Sequence, residues 1–155
     1  MSLISYGPGS ETPAEALQNN GFWSDIDPAN FRDTNRIDTS IPNARASHAL
    51  AVAMADINRQ LADWQADRQS EGSDTIENVT PPTWATADHY SLLYRQAVYA
   101  SAHALLLERY RDYSATGAGD ERGEAKDNTA DDYRRDARWA VSEITGRLHT
   151  TVELI

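Results

Sequence analysis

Apolar residues recur three and four positions apart through most of this 155-residue chain, a period that α-helices satisfy and strands do not. Between residues 40 and 69 the row is Ala46, Leu50, Ala53, Ile57, Leu61 and Trp64. Between 86 and 113, with successive residues turned by about 100°, Leu92, Tyr99, Ala102, Leu106, Tyr110 and Tyr113 share one face. Val98, Leu105 and Leu107 widen that face until Ser101, Glu108 and Asp112 leave a narrow polar stripe. A helix so nearly apolar all round is predicted to be the central one, with the others packed about it. Between 120 and 145 the core stripe is Ala130, Tyr133, Ala137, Ala140 and Ile144.

Stop and start signals set the boundaries. Asp27-Pro28 is an N-cap with proline at the first helical position, opening a short helix to about Asp38. Ser40-Ile41-Pro42 opens a second helix that runs to about Gln69. Residues 70–85 hold Gly72, Ser73, Asn78, Pro81 and Pro82 and read as a long surface loop. A third helix is expected from about Thr86 to Tyr113, a turn at Gly117 and Gly119, and a fourth helix from about Asp120 to Thr145, closed by Gly146. The fold class is therefore all-α: a small bundle of about four helices over 28–145, an extended N-terminal arm over 1–27 and an extended C-terminal tail over 146–155. Gly7-Pro8-Gly9-Ser10 and Thr12-Pro13 break any regular element in the arm, which ends at Gly21-Phe22-Trp23. Those two aromatics anchor it either on its own core or on a neighbouring subunit.

Charge and composition remove several functions. Asp and Glu number 24 against 14 Lys and Arg, giving a net charge of −10 that disfavours tight nucleic-acid binding, since phosphate is held by clustered cations. With no cysteine there are no disulfides, thiolate metal sites or cysteine nucleophiles. No apolar run approaches the roughly 18 residues of a membrane span. No Lys or Arg precedes Arg32, so the basic region of a signal or transit peptide is missing, and the expectation is a protein that stays where it is made.

Catalytic signatures are also missing. No Glu is followed three residues later by His, and neither HExxH nor a phosphate-binding glycine loop occurs. His48, His89, His103 and His149 are scattered without ligand spacing. Glu121, Glu124, Asp127, Asp131 and Asp132 could suggest a magnesium site, but acidic residues in a first turn also favour the helix dipole, and no other helix offers a second acidic pair. No catalytic residue, metal or cofactor is expected. Arg95 and Arg109 fall within the apolar arc of the third helix, where a charge needs a partner or a route to solvent; Asp56 and Asp136 are candidate partners. Trp139 projects about 140° from the core stripe of the fourth helix, among Asp132, Arg135, Asp136 and Glu143. A tryptophan there is either covered by neighbouring side chains or by the N-terminal arm, or contacts another subunit, where Trp and Arg serve as anchors.

Four segments in register resemble one family. Gly21-Phe22-Trp23-Ser24-Asp25-Ile26, Leu106-Leu107-Glu108-Arg109-Tyr110-Arg111-Asp112-Tyr113, Asp131-Asp132-Tyr133-Arg134-Arg135-Asp136-Ala137-Arg138-Trp139-Ala140 and Thr151-Val152-Glu153-Leu154-Ile155 look like the head completion protein (gpL) family of Peduovirus-type contractile-tailed phages. The resemblance implies a non-enzymatic virion protein at the head-tail junction, assembled in the host cytoplasm. It would dock on the portal vertex after DNA packaging, help retain the genome and offer a surface for tail joining. Implied partners are the portal protein, tail completion proteins and further copies of itself in a ring of about twelve, with packaged DNA passing nearby without sequence-specific binding. Under that reading the subunit or portal interface holds Trp23, Arg134, Arg135, Arg138, Trp139, Val152, Leu154 and Ile155. Two alternatives stand beside it: a generic helical binding module for a host protein, and a magnesium-dependent acidic-cluster nucleotide hydrolase.

Overall fold

The computed structural model describes the backbone of residues 13–114 and 120–147, and the side chains of all of these except 110–114 and 120–128. Five α-helices and one 3-10 turn make up the regular structure, and no strand occurs among the described residues. α1 spans Pro28–Asn35, with the Asp27 side chain accepting from the Ala29 amide at 2.9 Å. It ends three residues earlier than expected because Arg36 adopts a left-handed conformation, φ 51°. The Arg32 guanidinium then clasps the turn that follows by donating to the Ile41 carbonyl oxygen.

Where one long second helix was expected, two occur: α2, Asn43–Gln60, and α3, Ala62–Ser70. The break falls at Leu61, φ −99° and ψ 6°, which is fully buried. No glycine or proline marks the position. Along α2 the buried positions Ala46, Ala49, Leu50, Ala53 and Ile57 keep the three-and-four spacing. α4 spans His89–Ser114 and α5 spans Asp120–Thr145. α5 is closed by Gly146 at φ 67°, with the Gly146 amide donating to the Glu143 carbonyl and Arg147 to Ser142, at 3.3 and 3.0 Å.

α4 is central, packing against α5, α2, α1 and the 3-10 turn Ile76–Asn78. Ring contacts from several elements cover it, among them Trp23 on Tyr94, Phe31 on Tyr99, Trp64 on Tyr90 and Tyr133 on His103. α5 runs antiparallel to it and meets it through small residues. Ala100, Ala104, Ala130, Ala137 and Ala140 are all buried, and Ile144 closes the seam.

Residues 17–26 do not stand away from this bundle. Leu17 and Ile26 form an antiparallel bridge, with amide-to-carbonyl distances of 2.7 and 3.0 Å. The Asn20 side chain accepts from the Phe22 and Trp23 amides across a turn in which Gly21 takes φ 89°. Phe22, Trp23 and Ile26 are 2–3% exposed and belong to the main core. The loop after α3 is pinned too. The Ile76 amide donates to the Phe22 carbonyl at 2.9 Å, and Ile76 and Val79 are buried.

Candidate functional site

The outward face of α5 carries the arrangement that the bundle itself does not require. Ala130, Ala137, Ala140 and Ile144 turn inward and are buried, which leaves Trp139 on the opposite side at 49% exposure. The Arg135 guanidinium lies over its indole at 4.9 Å from the ring centroid. A cation–π contact at an exposed site is worth about 0.5–1 kcal/mol, enough to orient the ring. Arg135 is itself held by Asp132 at 3.0 Å and Asp136 at 3.8 Å. One turn toward the start of α5, Arg134 bridges Asp131 at 2.6 Å and Glu108 of α4. Arg138 is exposed on the same helix. The result is an indole covered on one side by an arginine that two carboxylates hold, a composition suited to a protein partner, while Arg134 and Arg138 line the cleft beside Ser101, Ala104 and Glu108 of α4.

Trp23 takes no part in that surface. It is 3% exposed, stacked between Tyr94 at 4.3 Å and Trp64 at 5.7 Å. An aromatic of that size following a loose arm looks the same in sequence whether its pocket lies in the same chain or the next. Val152, Leu154 and Ile155 lie outside the described residues.

Arg95 and Arg109 are both exposed, and no described polar or charged residue is buried, so of the two outcomes open to a charge in that arc each has a route to solvent and neither is a buried charge. The reason is that neighbours reach α4 from several sides and leave gaps between them. Leu92, 46% exposed, and Arg95 open onto a cleft of about 350 Å³ between α1, α4 and α5. Asp136 lines the same cleft, while Asp56 pairs with Arg59 on its own helix. His103 lies stacked on Tyr133 at 4.1 Å, and burial holds its pKa below the usual histidine value.

Sequence reasoning missed the most exposed large hydrophobic side chain described, Trp84, at 72%. It sits in the loop before α4 and meets the edge of His89 at 5.2 Å. Its only signal was position, a tryptophan two residues after Pro81-Pro82. Among the described residues no group of three or more His, Cys, Asp or Glu is placed to hold a metal ion, and no helix is long and apolar enough to cross a membrane.

The model of the phage head completion protein family (GPL) matches residues 17–155. This chain belongs to that family. The match begins at Leu17, the residue whose bridge to Ile26 starts the folded body. The chain is 31% identical over 148 residues to the head completion/stabilization protein of Escherichia phage P2, covering 96% of this chain and 86% of the relative. It is 30% identical over 98 residues to the probable head completion/stabilization protein of Haemophilus phage HP1, covering 63% of this chain and 65% of that one. No solved structure matches. As a head completion protein the chain is a structural component of the virion. Two of its family-like segments meet in space, since Glu108 in the first is the partner of Arg134 in the second.

Proposed function

We propose that this head completion protein is a non-enzymatic connector subunit. It docks on the portal vertex once DNA is packaged, helps retain the genome and presents a surface for tail joining, alongside further copies of itself. The observation that carries this reading is Trp139, an indole half in water on the outer face of α5 with Arg135 laid over it. A large aromatic left half in water beside an arginine is the kind of side chain that anchors contacts between chains. Arg135 over the indole supplies the polar part of the same interface, Arg134 and Arg138 extend it along the neighbouring cleft, and Val152, Leu154 and Ile155 add a second contact beyond the bundle.

The net charge of −10 supports a place near DNA without adhesion to it. Binding by counterion release needs clustered cations, and a surface dominated by carboxylates lets a packaged strand pass. The test is mass analysis of the purified protein alone and with its portal protein. The expected result is a discrete complex carrying several copies per portal assembly. No complex, together with absence of the protein from purified particles, would reject the connector role and leave a helical binding module for a host protein.

A further inference from the structure

α2 and α4 pack antiparallel: the Tyr94 hydroxyl donates to Asn58 at 2.6 Å near one end, while Ala49 and Val52 face Leu105 and Leu106 near the other. At that second end an open groove of about 390 Å³ remains. Its floor is apolar, and Val52 is 45% exposed within it. Among the described residues its polar rim is Arg45, His48 and Arg109, with no carboxylate beside them. This is notable on a chain of net charge −10, because each of the other described clefts carries at least one Asp. Arg45 also lies in the first turn of α2, where a cation opposes the helix dipole and no acidic residue offsets it. The stability of the fold does not account for that placement.

A groove with an apolar floor and a cationic rim fits an extended segment in which apolar residues surround one carboxylate. The chain contains such a segment in Val152-Glu153-Leu154-Ile155. Extended side chains alternate, so Val152 and Leu154 would share the face on the floor while Glu153 turns to the rim. The apolar residues near the other terminus, Leu3, Ile4 and Tyr6, have no carboxylate nearer than Glu11.

Reach decides which copy supplies the segment. Tyr133 of α5 lies level with His103 of α4, and α5 continues for twelve residues to Thr145, away from Leu105 and Arg109. That run is about 18 Å at 1.5 Å per residue, and the groove begins about 3 Å beyond His103 in the other direction. A further lateral distance of about 10 Å separates neighbouring helix axes. Five residues from Arg147 to Val152 span at most about 17 Å. Val152 therefore falls short of the groove in its own protomer.

We propose that the basic groove between α2 and α4 receives Val152–Ile155 of a neighbouring copy of the chain. This deepens the connector reading and rests on it for the presence of that second copy.

The chain has no cysteine, so thiols introduced by substitution are the only ones present. Full-length protein carrying Val52→Cys and Leu154→Cys, concentrated and oxidised, should give a ladder of covalent dimers and higher species on non-reducing gels. A control pairing Leu154→Cys with Asp63→Cys, on exposed α3, should cross-link far less. Adding Arg45→Glu and Arg109→Glu to the first pair should lower the cross-linked fraction by roughly five-fold, the scale of partly exposed ion pairs, and Glu153→Arg should restore it. Monomer bands alone, intramolecular closure, or an equally strong ladder in the control would overturn the proposal. Probing purified particles for the unsubstituted protein separates the two readings, because its absence there would reject the connector role without touching the gel result.

Discussion

Trp23 lies flat against Tyr94, ring centroids 4.3 Å apart and planes within 9° of parallel. The contact joins the irregular N-terminal segment to the central helix, and Trp64 of α3 stacks on the far side of the indole at 5.7 Å. Phe22 meets both tryptophans edge-on, at 5.0 and 6.3 Å. Replacing Trp23 with Ala would leave a cavity that three separate elements must collapse to fill. A loss of about 3–5 kcal/mol is expected in urea unfolding of the purified protein. A loss under about 1 kcal/mol, as for an exposed side chain, would place Trp23 outside the core.

The far end of Tyr94 forms a polar cluster. Its hydroxyl donates to Asn58 Oδ1 at 2.6 Å and accepts from Asn19 Nδ2 at 2.7 Å, and Asn58 Nδ2 donates to Asn19 Oδ1 at 2.8 Å. Burial pushes the phenol up to about 12, against the opposing effect of Asn19. Above pH 10 the unfolded chain loses this proton while the folded chain keeps it. Stability is therefore intact below pH 10 and falls as pH rises toward 12, by about 1 kcal/mol at pH 11. Tyr94→Phe should cost about 1–3 kcal/mol at pH 7, since two asparagines lose a partner. The part of the alkaline decline due to this phenol should disappear in the variant. Urea midpoints at pH 7, 9 and 11 for both proteins would check it, and parallel declines would reject the assignment.

The seam between α4 and α5 separates two kinds of contact. Arg134, with Glu108 and Asp131, remains 36% exposed, so Arg134→Ala should cost no more than about 1 kcal/mol. Ala140 is 2% exposed where the two helices approach closely. Ala140→Leu should cost about 1–3 kcal/mol by overpacking. Thermal unfolding of the two variants should rank them in that order, and the reverse would mean that charge rather than close approach holds the seam.

His103 gives the acid side of the profile. Burial depresses its pKa, and it is stacked on Tyr133. As pH falls through the normal histidine range, the unfolded chain takes up a proton that the folded chain resists, so stability is lost toward acid. His103→Phe keeps a ring on Tyr133 and removes the titration, and its urea midpoint should fall less between pH 7 and 5 than that of the unsubstituted chain. An equal fall would show that His103 does not contribute.

The periodic parts of this fold were legible because each faces one neighbour. α5 packs its alanine stripe on α4, so Ala130, Ala137, Ala140 and Ile144 could be told from Trp139 by angle alone. Asp27-Pro28 and Gly146 act through local backbone geometry and could be read directly. α4 resisted the same reading because neighbours reach it from several sides. A single mean direction placed Leu92 and Arg95 inside when they border a cleft. Trp23 and Ile76 were beyond periodicity altogether, since an irregular segment has no angle and its burial depends on distant partners. The break at Leu61 left no trace in residue type.

Trp139 offers the sharpest separation of fold from function. Its neighbours on α5 are charged, its ring is 49% exposed, and the Arg135 contact is of the weak, solvated kind. Trp139→Ala should therefore change the unfolding free energy of the dilute purified protein by no more than about 1 kcal/mol. At an interface the same truncation removes a large aromatic anchor, for which losses of about 2 kcal/mol or more are usual. Binding to the portal protein, or self-association at high concentration, should weaken by roughly thirty-fold or more. Arg135→Ala should weaken the same binding less, because a rim cation acts partly by orienting the ring. If Trp139→Ala instead unfolds the protein and spares assembly, the indole belongs to the protomer, and the outer face of α5 ceases to be the place where this subunit meets the particle.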